Sequence, residues 1–274
     1  MTLALDHERT LARALQVALD EDALRLVYQP KLHLPSGGIV GVEALARWHD
    51  LELGIIEPAV FVPLAERFGI IDALTNWGFR EALRQWTAWC DDGVETEVAF
   101  NISALCLRDV HFPDYLHRLC IAGNVPPSAI TLEITESATQ HAVRLLDTLT
   151  RFRIKGMGLA LDDFGTGYSS LLQLRQLPFT ELKIDQWFVK DINASRESSL
   201  IVKSVIDLAH GLGLLAVAEG VEDAATLAAL SEMGCDHAQG YFIAHPMSGA
   251  EFPTWVRARA VALDAEPASI ILES

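Results

Sequence analysis

Apolar positions along the chain follow two alternating patterns. Short runs rich in Val, Ile and Leu predict buried strands over residues 24–32, 39–48, 97–103, 130–135, 157–164, 181–188, 214–220 and 237–244. Longer stretches, with charges recurring every three or four residues, predict amphipathic helices over 58–68, 71–90, 112–122, 137–155, 197–212, 223–233 and 249–259, and a short one near 168–177. Eight strands alternating with helices predict an α/β fold, a TIM-like (β/α)8 barrel. A doubly wound open sheet is the structural alternative. Neither GxGxxG nor a GxxxxGK loop follows the first strands, so the common nucleotide-binding versions of that fold lose support. Residues 35–38, Pro-Ser-Gly-Gly, join the first two strands over a hairpin's length, too short for a helical crossover. The first strand is therefore expected to run antiparallel to the second, which makes the barrel irregular.

No linker or internal repeat divides the predicted barrel, expected over residues 21–260. Residues 1–20 place Leu11, Leu15 and Leu19 on one stripe. They read either as a helix capping the barrel bottom or as a connector to an upstream module. Residues 261–274 read as a tail, mobile from Leu263 onward.

Composition narrows the function. Half of the 274 residues are hydrophobic and 21% are charged, a globular balance. Acidic residues number 37 against 21 basic ones, a net charge of −16. That argues against non-specific DNA or RNA binding, which needs a basic face, and against a polybasic membrane-surface protein. An anionic ligand would have to be attracted by something other than net charge, and bound metal ions are the natural candidate. No apolar run reaches membrane-spanning length, and the N-terminus lacks the basic start and apolar stretch of a signal peptide. Cys90, Cys106, Cys120 and Cys235 form no CxxC pair and read as free thiols. A cytoplasmic location is expected, with membrane tethering open to a longer protein of which this is a fragment.

The informative anomaly is polar. Inside or at the end of nearly every apolar strand sits an acid, an amide or a lysine: Glu43, Asn101, Glu133, Asp162 with Asp163, Lys183 with Asp185, Glu219 and Gln239. An unpaired buried carboxylate costs several kcal/mol, so such groups are neutralised, paired or metal-bound. Any one of them alone would more often be structural. In a barrel the C-terminal strand ends converge on one mouth, where the set would line a single pocket. Oxygen donors without His or Cys select hard cations such as Mg2+ or Mn2+. The five carboxylates of Glu43, Glu133, Asp162, Asp163 and Glu219 are too many for one ion and suit two, an arrangement that clamps the attacking and leaving oxygens of a phosphoryl displacement. Lys183 could hold the attacking water or stabilise transition-state charge, or simply pair with Asp185 two residues on. The glycine-rich segment 163–170 could present backbone N–H groups, move as a lid, or be a surface turn. Glu136 could anchor it by hydrogen bonds.

These residues also carry a resemblance. Tyr28-Gln29-Pro30, Glu43-Ala44-Leu45 running on through Arg47-Trp48, Asn101-Ile102-Ser103, and Glu133-Ile134-Thr135-Glu136-Ser137 come first. Asp162-Asp163-Phe164-Gly165-Thr166-Gly167-Tyr168-Ser169-Ser170, Leu182-Lys183-Ile184-Asp185, Ala218-Glu219-Gly220-Val221-Glu222 and Gln239-Gly240-Tyr241 follow in order. Over about residues 20–255 the chain resembles the EAL-domain cyclic-di-GMP phosphodiesterases. The resemblance implies an irregular TIM barrel that hydrolyses one phosphodiester bond of cyclic-di-GMP to linear pGpG. It implies two Mg2+ or Mn2+ ions, with Ca2+ inhibitory. Glu43, Asn101, Glu133 and Asp162 match ligands of one ion, and Asp162, Asp163 and Glu219 the surroundings of the other. Lys183 matches the residue that binds the attacking water, and Glu219 a general base. Gln29, Arg47, Asp185 and Gln239 match positions on or behind the substrate, Glu222 a supporting position, and Glu136 the loop anchor. A homodimer and an upstream sensory or GGDEF-type domain are implied partners. Gln186-Trp187 departs from the smaller residues common there and removes no ligand.

Two other readings remain at this point. A non-hydrolysing cyclic-di-GMP receptor or scaffold would need a missing ligand or a locked loop. An unrelated metal-dependent barrel would use Lys183 as a proton-abstracting base.

Overall fold

The strands close into a barrel because the two ends of the sheet meet through the first strand. In the computed structural model, which describes residues 2–21, 23–165 and 171–265, the chain begins with helix α1 (Thr2–Asp20). The hairpin strands β1 (Leu24–His33), β2 (Ile39–Asp50) and β3 (Gly54–Ile56) follow, then α2 (Pro58–Phe68) and α3 (Ile71–Asp91). Alternating units come next: β4 (Glu97–Asn101), α4 (Phe112–Ala122), β5 (Ile130–Thr135), α5 (Ala142–Ile154), β6 (Gly158–Phe164), α6 (Leu171–Gln176), β7 (Glu181–Ile184) and α7 (Gln186–Lys190). The chain ends with α8 (Arg196–Gly211), β8 (Leu215–Ala218), α9 (Ala224–Glu232), β9 (His237–Ala238), β10 (Met247–Ser248) and α10 (Phe252–Ala265).

Strands β2, β4, β5, β6, β7, β8 and β9 pair in parallel in that order. Strand β1 closes the ring antiparallel to both β2 and β9, as the short turn after it predicts. Strands β3 and β10 are antiparallel additions outside the ring, which the apolar pattern did not reveal.

Strand composition follows from this topology. In β5, Ile130, Leu132 and Ile134 point outward and are fully buried under the helices, while Thr131 and Glu133 face the barrel interior and are buried too. Each outward aliphatic side chain contributes about 1.5–3 kcal/mol of burial. Helix ends obey local chemistry. Pro58 opens α2, and Gly69, at φ 72°, closes it with its N–H returning to Ala65 and Glu66. Ser195 and Asp223 cap α8 and α9. Helix α1 buries Leu11, Leu15 and Ala18 in the common core against α2 and α3. All four cysteines are free.

Four expected boundaries move. The seventh strand stops at Ile184 rather than residue 188, because the Asp185 carboxylate accepts from the Trp187 N–H and starts α7. The last barrel strand stops at Ala238, since the chain turns at Gly240, whose carbonyl accepts from Ile243 and Ala244. The helix expected from residue 137 begins with a tight 3-10 segment, Glu136–His141, before α5. The final helix continues to Ala265, past the expected end at 259, so the tail expected from Leu263 starts inside it, and residues 266–274 lie outside the described residues. Among the described residues no helix is long and apolar enough to cross a membrane.

Gly240 shows how tightly the mouth is closed. A β-carbon there would fall 2.1 Å from the Val221 carbonyl oxygen and 2.2 Å from its nitrogen, both backbone atoms that cannot swing aside. We expect Gly240→Ala to destabilise the fold by about 3 kcal/mol, read as a lower urea midpoint at unchanged slope.

Candidate metal and catalytic site at the barrel mouth

The barrel interior is polar in two layers, each centred on one buried lysine. In the floor, Lys31 of β1 reaches both oxygens of Glu181 of β7, at 3.1 and 2.8 Å. Lys31 is 3% exposed and Glu181 4%. Gly158 leaves room for this layer, since a β-carbon there would meet the Thr131 hydroxyl at 2.3 Å. Burial and the Lys31 ammonium push the neighbouring His237 imidazole down to about 4, so it stays neutral. Sequence reading did not single out this floor. Its signal is the two-residue spacing that puts Lys31 on the same strand face as Gln29, and Glu181 on that of Lys183.

In the upper layer Lys183, 1% exposed, stands inside a ring of carboxylates. Its Nζ lies 2.7 Å from Glu133, 2.7 Å from Glu219, 3.1 Å from Asp162 and 3.6 Å from Glu43. Those partners come from β5, the end of β8, β6 and β2, so the pairing is cross-strand. The pairing with Asp185 weighed from the sequence is not the one formed: Asp185 caps α7 instead.

Glu43 is held by amides. Asn101 Nδ2 donates to one carboxylate oxygen at 2.7 Å and Gln239 Nε2 to the other at 2.8 Å. Gln239 also donates to Gln29 Oε1 at 3.1 Å, and Gln29 in turn to the Ala244 carbonyl at 3.2 Å. Strand register makes this possible, because Gln29 lies opposite Glu43, and Asn101 beside Glu133. With its Nδ2 committed to Glu43, Asn101 has its oxygen as the remaining donor atom for a cation.

The consecutive acids Asp162 and Asp163 raise a geometric problem, since neighbours on a strand face opposite ways. A bulge solves it. Between Leu161 and Phe164 strand β6 carries one residue more than β7, and Asp163 adopts φ 57°, in the left-handed region. Its N–H turns back onto Asp162 Oδ1 at 3.0 Å. Carboxylate oxygens of Asp162, Asp163 and Glu219 then lie within 4.8 Å of one another, a group able to chelate a divalent cation. This all-oxygen donor set fits Mg2+ or Mn2+. One residue on, the Gly165 N–H donates to Glu136 Oε2 at 2.9 Å, and Glu136 is buried, as an anchor of this loop requires. Residues 166–170, the rest of the glycine-rich segment, lie outside the described residues.

Two cavities open from this layer. One of about 830 Å³ is lined by Leu45, Arg47, Asn101, Thr135 and Asp163 on the strand side and by Pro58, Val62, Glu66 and Trp77 beyond. Arg47 is half-buried there, its guanidinium donating to the Ala46 carbonyl at 2.9 Å. The other, about 290 Å³, lies over Gln29, Glu43, Glu219 and Gln239, with Gln186, Lys190, Glu222 and Tyr241 at its rim. Glu222 is exposed and pairs with Lys190 at 2.8 Å. Gln186, Lys190 and Tyr241 were not picked out from the sequence as lining the mouth. The four-residue spacing of the first two on one short helix was the available signal.

Electrostatics follow from crowding. Burial pushes the Glu43 carboxyl up, but the Lys183 ammonium and the Asn101 and Gln239 amides outweigh it and hold it below its ordinary value. Burial, then Glu43, raises Glu133 well above its own. Burial, with Asp162 beside it, raises Asp163 to about 6, and burial raises Glu219 to about 8 despite Lys183. Burial disfavours the Lys183 ammonium, yet Glu133, Glu219, Glu43 and Asp162 overcome it and raise Lys183 well above the ordinary lysine value.

A cation binds these carboxylates ionised, so it must displace the protons favoured by burial on Glu133 and Glu219, and in acid the proton on Asp163. Mn2+ affinity is expected to climb as pH rises through about 6 and about 8 and to level off above. At pH 7 calorimetry in buffers of different ionisation enthalpy should report net proton release on Mn2+ binding, and a pH-independent affinity between 5.5 and 8.5 would contradict this.

Comparison with known proteins agrees with the geometry. The EAL domain family matches residues 12–246. The chain is 41% identical over 250 residues to a Pseudomonas aeruginosa protein named cyclic di-GMP phosphodiesterase PA2567, covering 90% of this chain and 43% of that one. It is 40% identical over 249 residues to the bifunctional diguanylate cyclase/cyclic di-GMP phosphodiesterase MucR of the same species, covering 90% of this chain and 36% of that one. The chain thus spans less than half the length of both curated relatives. A solved structure titled PaMucR phosphodiesterase, c-di-GMP complex, superposes with a TM-score of 0.84 at 38% identity, covering 89% of this chain and 99% of that one. By the extent of this match, the chain belongs to the EAL domain family.

Proposed function

We propose that the protein hydrolyses one phosphodiester bond of cyclic-di-GMP to linear pGpG, using two Mg2+ or Mn2+ ions at the barrel mouth. The observation that supports this most is the convergence of Asp162, Asp163 and Glu219 oxygens in the same layer of the barrel as the Glu43–Asn101 pair. Similarity to relatives named as cyclic di-GMP phosphodiesterases supplies the substrate.

In this reading Glu43, Asn101, Glu133 and Asp162 would hold one ion, and Asp162, Asp163 and Glu219 would surround the other. Bound divalent cations supply Lewis-acid stabilisation of phosphoryl charge and ease deprotonation of water. The residues do the rest. Gln239 and Asn101 fix the Glu43 carboxylate, and Gln29 braces Gln239. Arg47, at the wall of the larger cavity, offers its planar fork to a phosphate oxygen. Glu219 accepts a proton from the attacking water, and Lys183 holds that water and stabilises the charge developing on phosphorus-bound oxygen. The new P–O bond forms from water, the opposite P–O bond breaks, and the leaving ribose oxygen takes up a proton from solvent, balanced by the one that Glu219 accepts and then releases. Glu136 secures the loop through Gly165, and Asp185 places α7 at the rim.

The net charge of −16 repels an anionic dinucleotide until cations neutralise the mouth. A homodimer, and regulatory input from a sensory or GGDEF-type module, complete this reading as partners.

The test is a turnover assay with cyclic-di-GMP and Mg2+ or Mn2+, products separated by chromatography. Native protein is expected to give linear pGpG, and Glu43→Ala to lower the rate by at least about a thousandfold with an unchanged circular dichroism spectrum. Absence of product with metal-dependent nucleotide binding would assign the site to a receptor. Ca2+, larger and a weaker Lewis acid, is expected to bind and compete with Mn2+ without supporting turnover. Brisk turnover in Ca2+ alone would contradict the mechanism.

A further inference from the structure

The two interior lysines are partnered differently. Lys31 in the floor meets one carboxylate through both oxygens, a one-to-one ion pair. Lys183 meets four carboxylates from four strands within 3.6 Å. A lysine needed only to close an ion pair would resemble Lys31. Lys183 instead occupies the centre of a donor set that suits a divalent cation, as the lone positive charge among its acids. Its ammonium bridges carboxylates of β5, β6 and the end of β8, which is what a coordinated ion would do.

We infer that Lys183 is a built-in counter-ion: its ammonium stands in for a divalent cation, holds the barrel mouth folded when metal is scarce, and competes with the first metal to enter. The inference rests on the metal-site part of the proposed function and not on the substrate. Like charges at this separation repel strongly in a buried site, so an entering cation has to push Nζ out of the ring or share the carboxylates with it. The lysine stem can swing, and its terminal charge is compact, so this displacement needs no backbone movement. Affinity for the first metal is thereby lowered, and empty sites avoid the mutual repulsion that would otherwise spread the strand ends apart.

The experiment uses Lys183→Met, which keeps most of the stem and removes the charge. Thermal unfolding and calorimetric Mn2+ titration are run on both proteins without nucleotide. Lys183→Met is expected to melt lower without metal, to gain more thermal stability on Mn2+ addition, and to bind the first Mn2+ at least about tenfold more tightly. A variant that folds only when Mn2+ is supplied, followed by far-ultraviolet circular dichroism, supports the same conclusion. Equal metal-free melting and equal affinity overturn it. So does weaker Mn2+ binding, or failure to fold with and without metal. Lys31→Met is the comparison: it is expected to lower stability without changing Mn2+ affinity, and a matching gain in affinity there would also overturn the assignment. Native protein that binds Mn2+ and shows these shifts but produces no pGpG would remove the phosphodiesterase reading and leave this one standing.

Discussion

Concentration of negative charge at one end of the barrel is the constraint on which the rest depends. Glu43, Glu133, Asp162 and Glu219 surround a single ammonium, and Asp163 stands beside them. Carboxylates do not gather in a low-dielectric interior unless something compensates them, since each stranded charge costs several kcal/mol. Three kinds of compensation operate together here. Lysine supplies positive charge, amides from Asn101 and Gln239 supply hydrogen bonds, and burial shifts Glu133 and Glu219 towards their protonated forms, which removes part of the charge. The protons and the lysine are replaceable by metal, whereas the amides are not. That division separates the parts that fix geometry from those that respond to a ligand.

The scaffold accepts this load because its stability is generated elsewhere. Outward faces of the strands are aliphatic and sealed beneath helices, as Ile130, Leu132 and Ile134 illustrate. The inward face is then free to carry polar side chains in layers, provided that each layer has its own counter-charge. Lys31 with Glu181 closes the floor as a balanced pair, and small residues such as Gly158 make room for it. Above the floor the balance is deliberately incomplete, and that is where the cavities open. Antiparallel β1 contributes to both layers, setting Gln29 against Glu43 in register.

The sequence displayed the architecture well wherever periodicity and burial coincide. All eight barrel strands and the antiparallel first pair were legible, because strands covered on both faces read as apolar runs and a four-residue turn permits no crossover. Of the polar interruptions in those runs, Glu43, Glu133, Asp162 and Glu219 gather around Lys183, and Asn101 and Gln239 hold Glu43. What the pattern could not supply was orientation. Asp162 and Asp163 look like a pair that must diverge, and only the bulge with its left-handed Asp163 brings them together. Asp185 reads as strand in an apolar run, whereas its carboxylate ends the strand by capping α7. The sequence also leaves Lys183 open as a partner of Asp185, two residues away on the same strand, and only closure of the barrel reveals a partner fifty positions distant, Glu133. The floor pair was invisible for the same reason, as Lys31 and Glu181 lie 150 positions apart.

Local strain and long-range charge thus meet in one short stretch. A non-glycine residue held at positive φ is uncommon and persists where surrounding structure over-determines it. At Asp163 the surroundings are the Asp162 carboxylate bonded to its N–H, and Glu136 holding Gly165 two residues on. Glycine at position 163 would relieve the backbone and remove one carboxylate from the acidic cluster. The β6 bulge therefore joins the two roles of the mouth. It aims a carboxylate into the acidic cluster, and through Gly165 and Glu136 it fixes where the glycine-rich loop begins.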